Sequence, residues 1–429
     1  MLNIPARFKS LDFMKGIALI MILEAHLGLW WTDHSWFSAW TLTTMIIRPF
    51  GPSNFILISI FGTILSLDIR EKAMPGKSEL PRLLKRTFIF LIIGTILNII
   101  DLSGEIANPA VFFGYKIARI MLTWNIFTFL GVAQVIIFFF RRLNAKIQIA
   151  FTVGVFIFYY IMIPSFVQSF VALGIDYQNG TPDLTHGMTP ILFIYFTLFF
   201  ENAMATFVPY IAAAFLTCII YKRLADICSD KTAEKSKLMA EFRSIKWISV
   251  GLILAGILIG FPFSPGLMMQ LEYQHLISPF IIQVGSSSST FQLWNPSWGG
   301  YPLFLQQNNP AFILYSFGLM SIVSVCMMER VDIPGKNPKI VDVISRFGVY
   351  SLSVFTTHAV ASYLPLPLGY LQFLLAFAAV AIGYIIVFYV WDVKWNGKYT
   401  FEYWLKLFLA TNISLTIKRK MAVKKAHVS

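Results

Sequence analysis

Beyond Asp12, three ionisable side chains, Lys15, Glu24 and His26, share the otherwise apolar stretch that begins at Ser10 and runs to Trp31. Ser10 and Asp12 at its start are the residue types that cap helices, so a helix is expected to begin there. Eleven residues of helix between Lys15 and His26 put the imidazole roughly 16 Å further along the axis. Ionisable groups at that depth in an apolar helix are costly and are candidates for function. An imidazole changes charge near neutral pH. His26 can therefore act as a general base toward a hydroxyl or amine, or carry an acyl group transiently. It can equally be a structural group that hydrogen-bonds a neighbouring helix. Glu24 lies about 200° around the helix from His26, so it is expected to pair elsewhere, with Arg48, Lys116 or Arg119.

The elements that must hold these groups follow from where the bases stand. No Lys or Arg occurs between Lys146 and Lys222, between Lys246 and Arg330, or between Arg346 and Lys394, and each tract is rich in Phe, Ile, Leu and Val. A helix crosses the hydrocarbon with roughly 20 apolar residues, and cytoplasmic loops collect Lys and Arg. The tracts thus read as helical hairpins with both ends inside. Extending the rule to the first half predicts an all-α polytopic membrane protein of about ten transmembrane helices with both termini cytoplasmic. Spans are expected near 13–32, 53–69, 87–101, 117–140, 147–164, 192–221, 247–263, 310–328, 347–364 and 369–391. Residues 1–429 form a single integral-membrane unit, and 406–429 a basic cytoplasmic tail.

Composition agrees with a cell-membrane protein: the chain is 57% hydrophobic, 16% aromatic and only 13% charged. The net charge of +13 sits in short loops between spans and is topological, which argues against nucleic acid as a partner. Three cysteines in or beside cytoplasmic-side segments imply no disulfide framework, and no metal site is expected. Gly256 and Gly260 form a small-xxx-small pair suited to close helix packing. No Gly-x-Ser-x-Gly elbow, phosphate-binding glycine loop or His-Glu-x-x-His helix is present, so hydrolase, NTPase and zinc-protease chemistry is not indicated.

Further candidates stand around this frame. His34 beside Asp33 lies in an outer segment, where it is a second candidate base or an ordinary polar loop residue. His358, twelve residues beyond Arg346, should stand some 18 Å from the inner face, either orienting an acceptor or bridging helices. The outer segment 264–309 is largely uncharged and carries Trp294 and Trp298 among Asn, Ser and Gly, a composition that suits stacking on a sugar and also an interfacial aromatic belt. Arg7, Lys15, Arg82, Lys85 and Arg86 at the inner mouth can hold phosphates or simply follow the positive-inside rule. Lys116 and Arg119 break that rule and mark either an aqueous cavity or buried ion pairs.

Residues 10–26 (SLDFMKGIALIMILEAH) resemble the opening of integral-membrane acyltransferases, in which a Leu-Asp pair precedes a base, a Gly, an apolar run and a His eleven positions after the base. Residues 54–72, the bases Arg82, Lys85 and Arg86, 126–134 (IFTFLGVAQ), 347–360 (FGVYSLSVFTTHAV) and 396–405 (NGKYTFEYWL) resemble later parts of related chains. Residues 33–36 (DHSW) are similar to a stretch of the heparan-alpha-glucosaminide N-acetyltransferase branch. The resemblance implies transfer of an acyl group, typically acetyl, from cytosolic acyl-CoA to a sugar-like or lipid-linked acceptor on the far side. In the bacterial-type O-acyltransferase branch His26 matches the catalytic histidine. In the heparan branch His34 does, and the position of His26 is Asn. That branch also has an outer Asp ahead of the second span, where this chain reads Arg-Pro-Phe-Gly-Pro. Glu24, Asp33 and His358 would then be supporting or acceptor-side groups, membrane lipids the surroundings, and a homo-oligomer open. The rival expectation is a proton-coupled secondary transporter or a flippase of a small or lipid-linked substrate. A non-catalytic assembly protein suits the same features less well.

Overall fold

Lipid offers no partner to a peptide group, which leaves helix as the natural state of a long apolar run, and in the computed structural model the regular elements among the described residues are helices, apart from one isolated bridge between Thr32 and Leu368. It describes residues 8–33, 36, 40, 43–44, 46–101, 125–172, 207–230, 234–260, 303–305, 310–358, 364 and 366–407. The principal helices are α1 (Lys9–Trp31), α2 (Pro52–Ala73), α3 (Leu80–Asp101), α4 (Ile126–Phe140), α5 (Ala145–Ala172) and α6 (Phe207–Ser229). They continue with α7 (Lys235–Gly260), α8 (Pro310–Met327), α9 (Lys339–Val349), α10 (Ser351–His358) and α11 (Tyr370–Trp395), and 401–407 form a last helical segment.

Their ends are made by identifiable local chemistry. Pro52 occupies the first turn of α2, where a missing N–H costs nothing. Asn125 caps α4, its side chain accepting from the N–H groups of Phe127 and Thr128 while Thr128 Oγ1 accepts from Asn125 N. Asn125 also donates to Gly94 O and Asn98 Oδ1, both at 2.8 Å, which fixes the start of α4 against the end of α3.

One end of the bundle gathers the ion pairs. Arg141, closing α4, bonds Asp68 and Glu71 of α2, and Lys222 of α6 donates to the Arg141 carbonyl. Lys72 donates to Asp226 O and Ser229 Oγ at the end of α6. Lys246 of α7 pairs with Glu329 just after α8, and Lys9 of α1 with Asp342 of α9. The starts of α1, α7 and α9 and the ends of α2, α4, α6, α8 and α11 therefore meet there, so helices run alternately toward and away from this basic end.

Among the described residues, Arg48–Ala73, Lys235–Gly260, Pro310–Asp332 and Tyr370–Trp395 are long and apolar enough to cross a membrane; α9 and α10 together, bent by 67°, would make a fifth. Only 22% of the apolar window of α7 and 17% of that of α11 is buried within the bundle. Their outer faces expose Trp247, Leu254 and Leu258, and Leu371, Leu375 and Ile382, a surface suited to lipid rather than water. These long apolar helices fit a membrane protein. Of the ten crossings expected, those near 117–140 and 192–221 fall partly outside the described residues. The apolar helix α4 has only 15 residues.

Three expectations about elements need correcting. Ser10 does not cap α1: the N-cap is Phe8, which makes no side-chain cap bond. The third helix starts at Leu80 rather than 87, taking Arg82, Lys85 and Arg86 into its first turns. The ninth span is a broken pair rather than one straight helix. Gly256 and Gly260 lie where α7 meets α8 and its lead-in. A Cβ on Gly256 would sit 2.6 Å from Tyr315 N and one on Gly260 2.5 Å from Phe304 N, so these glycines permit the contact.

Candidate active site

Both helices that carry the buried histidines are capped by carboxylates from distant parts of the chain. Asp332, delivered by the π-turn Met328–Asp332 that follows α8, accepts from Lys9 N at 2.8 Å and Ser10 N at 3.4 Å, and from the Ser10 hydroxyl. It thus satisfies the first N–H groups of α1, which no local side chain serves. Glu402 does the same for α10, accepting from Leu352 N at 2.6 Å, Ser353 N at 3.0 Å and the Ser353 hydroxyl.

The chain reaches Glu402 through a turn the sequence provides. Asn396 ends α11 at φ 52° and Gly397 follows at φ 69°, the left-handed region that Gly and Asn tolerate. A Cβ on Gly397 would stand 2.4 Å from Tyr350 Oη. Tyr350, at the break between α9 and α10, donates to Asp392 and stacks on Phe388, and Arg346 bridges Asp342 and Asp392. Replacing Glu402 by alanine should destabilise the protein by about 1–2 kcal/mol, the range for losing a helix cap or a charged hydrogen bond. Glutamine, which can still accept, should recover most of it. Thermal unfolding of the three proteins in detergent checks this.

Close approach sets how α1 meets this broken pair. A Cβ on Gly348 would lie 1.9 Å from Asp12 O, and one on Gly16 2.4 Å from Ile344 O. Asn54 of α2 donates to Met14 O at 2.9 Å and holds the other side of α1. With α1 and α9 in backbone contact, the bend at Tyr350 brings the end of α10 against α1 at His26.

The result is a histidine pair. His26 and His358 are 6% and 4% exposed, and His358 Nε2 lies 3.0 Å from His26 Nδ1. His358 Nδ1 lies 2.7 Å from the Phe355 carbonyl. A carbonyl only accepts, so Nδ1 of His358 carries the proton and its Nε2, in the neutral ring, offers a lone pair. His26 Nδ1 must then donate to it, which leaves the lone pair of His26 on Nε2. Among the described residues nothing hydrogen-bonds that atom. Trp30 stacks on His358 at 6.0 Å and 27° and meets His26 edge-on at 5.4 Å; Phe355 stands edge-on to both.

An unbroken run of rings leads from this pair toward the bases of α3. Phe355 meets Phe127 at 5.0 Å, Phe127 meets Phe90 at 6.0 Å, and the Arg86 guanidinium lies 5.1 Å over Phe90. Arg82 is engaged with Glu79 at 3.5 Å, a carboxylate that Arg70 also approaches at 3.8 Å. Lys85 is partly buried on the same helix, and Lys15 partly buried two turns into α1.

Glu24 points to a different neighbourhood. Thr44 Oγ1 lies 3.5 Å from its carboxylate, and the Trp40 indole and the Arg48 charge both act on it. Gly28, one turn on, makes room for Trp40: a Cβ there would meet Nε1 at 1.8 Å. Asp33 is tied by its N–H to Leu368 O at 2.9 Å, beside the bridge that joins the end of α1 to the start of α11. His34, Trp294, Trp298, Arg7, Lys116 and Arg119 lie outside the described residues.

Trp30, Phe355, Phe127, Asp332 and the capping role of Glu402 carry no distinguishing signal in the sequence. An aromatic in an apolar helix looks like packing, and a carboxylate that caps a remote helix has no local signature. Among the described residues no group of three or more His, Cys, Asp or Glu side chains is arranged to hold a metal ion. In comparison with known proteins, the chain matches no family model and no curated protein.

Proposed function

We propose that this chain is a multi-pass membrane acyltransferase that moves an acyl group, acetyl in the simplest case, from cytosolic acyl-CoA to a sugar-like acceptor on the outer side. The observation that carries the reading is the directed histidine pair. His358, anchored to Phe355 O, accepts from His26 Nδ1 and so presents His26 Nε2 as a base. The acceptor's O–H or N–H proton passes to Nε2 while its heteroatom attacks the thioester carbonyl. The C–S bond then breaks and the departing thiolate takes the proton from His26. His358 steadies the imidazolium between these steps, as a second group orients a catalytic histidine elsewhere.

The ring run from Arg86 to Phe355 supports entry of the donor from the basic end, with Arg82, Lys85, Arg86 and Lys15 as phosphate partners and Arg7, Lys116 and Arg119 as further candidates. The alternation of helix directions supports ten crossings of a cell membrane, with the basic end and both termini, including the tail 406–429, in the cytoplasm. The resemblance of 10–26 to membrane acyltransferases points the same way, with His34 and Asp33 as the alternative base and its neighbour and Trp294 and Trp298 as acceptor-side rings.

A proton-coupled transporter or flippase is the second reading, favoured by the buried Glu24 close to Arg48. Proteoliposomes separate the two. The transferase releases CoA thiol from labelled acetyl-CoA supplied on the cytoplasmic side when an amino sugar or sugar alcohol is present. Solute accumulation driven by a pH gradient, with no thiol release, would select transport instead.

A further inference from the structure

Gln134 lies in the middle of α4, is 1% exposed, and neither its Oε1 nor its Nε2 has a hydrogen-bond partner among the described residues. A buried primary amide left wholly unpaired is expensive, and native proteins keep few of them. Its place on the helix is informative. Gln134 follows Phe127 by seven residues, two turns, and so lies on the same face of α4 about 10 Å nearer the basic end. Phe127 is the ring that joins Phe355 to Phe90. Two further turns along that face bring Arg141, already held by Asp68 and Glu71. The orphan amide thus stands between the basic end and the histidine pair, on the face of α4 that borders the ring run. Close by, Gly131 brings α3 against α4, its carbonyl accepting from Thr87 Oγ1 at 2.7 Å.

From this geometry we infer that Gln134 binds the amide-bearing arm of the acyl donor, an inference that rests on the acyl-CoA reading. The arm linking the nucleotide of coenzyme A to its sulfur contains two secondary amides, each with one N–H and one C=O. A glutamine amide complements such a group, Oε1 accepting and Nε2 donating, and leaves no polar atom of either partner unpaired. A sugar acceptor approaching from the outer side would meet the histidines before reaching this depth. Gln134 is therefore a donor-binding residue, and bonds formed only when the arm arrives select a pantetheine-type carrier over a bare thioester.

The test is titration calorimetry on the full chain in lipid nanodiscs, wild type against Gln134→Leu, with coenzyme A and with its armless nucleotide half, 3′-phospho-ADP, as ligands. Each lost buried hydrogen bond to the arm should cost on the order of tenfold in affinity. Gln134→Leu is therefore expected to weaken coenzyme A by about tenfold or more and leave 3′-phospho-ADP unchanged. Its thermal midpoint should be equal to or above wild type, because the substitution removes an unsatisfied polar group. Equal coenzyme A affinity in the two proteins, parallel loss of both ligands, or a lowered midpoint would each overturn the inference. Failure of wild type to bind coenzyme A at all would overturn the acyl-CoA reading itself, and this inference with it.

Discussion

Replacing His26 by alanine should lower kcat/KM for acyl transfer by about a thousandfold, within the 10²–10⁴ range that general-base catalysis supplies, with a loss of stability of about 2–3 kcal/mol from the cavity a buried ring leaves. His26 makes its one directional bond to His358, and its buried ring otherwise contacts aromatic side chains, so alanine removes the base and its packing together. His358→Phe should act more mildly, about 10–100-fold, and through kcat rather than KM. Phenylalanine keeps the ring against Trp30 but cannot accept from His26 Nδ1, so the proton is free to sit on Nε2, the wrong nitrogen for a base. The double variant should be no worse than His26→Ala alone, because the second histidine acts only through the first. Steady-state kinetics on the four proteins checks all three statements.

Gly348→Val should be the most damaging single change to the fold around the site. The Cβ it introduces would start 1.9 Å from Asp12 O and 2.7 Å from Gly16 N, and backbone atoms cannot step aside as the end of a long side chain can. Relief requires α1 and α9 to separate. We expect a loss of about 3 kcal/mol, at the upper end of the range for overpacking, together with loss of transfer activity, since the same movement draws His26 away from His358. Gly383→Val on α11 is the matched control: nothing lies within 4 Å of a Cβ there, and stability should be unchanged. Thermal unfolding and detergent-resistance curves of both variants supply the measurement.

How much of this was legible in the sequence depends on the range of the interaction. Helix positions were readable because an apolar run reports its own environment: 310–328 was expected and α8 is Pro310–Met327, and 369–391 was expected against Tyr370–Trp395. Gly256 and Gly260 were readable as packing glycines for the same reason. The separation of Glu24 from His26 followed from helical geometry alone. The histidine pair was not readable as a pair, since its members stand 332 residues apart and the spacing within each helix says nothing of the other. The bend at Tyr350 was hidden because 347–360 contains no proline to announce a break. Glu402, 50 residues away, accepts from Leu352 N just past the bend. Ser10 looked like a cap from its type, yet its hydroxyl is given to Asp332. Gln134 was visible only as one letter in an apolar motif, and its isolation emerged when the surrounding helices were in place.

The central claim is that His26, rather than the outer-loop His34, removes the proton from the acceptor. Release of thiol from acetyl-CoA by reconstituted wild type, His26→Ala and His34→Ala, measured side by side in the presence of acceptor, tests it most directly. The account predicts that His34→Ala retains release within a few-fold of wild type while His26→Ala falls by about a thousandfold. Full release by His26→Ala, with loss in His34→Ala, would contradict it.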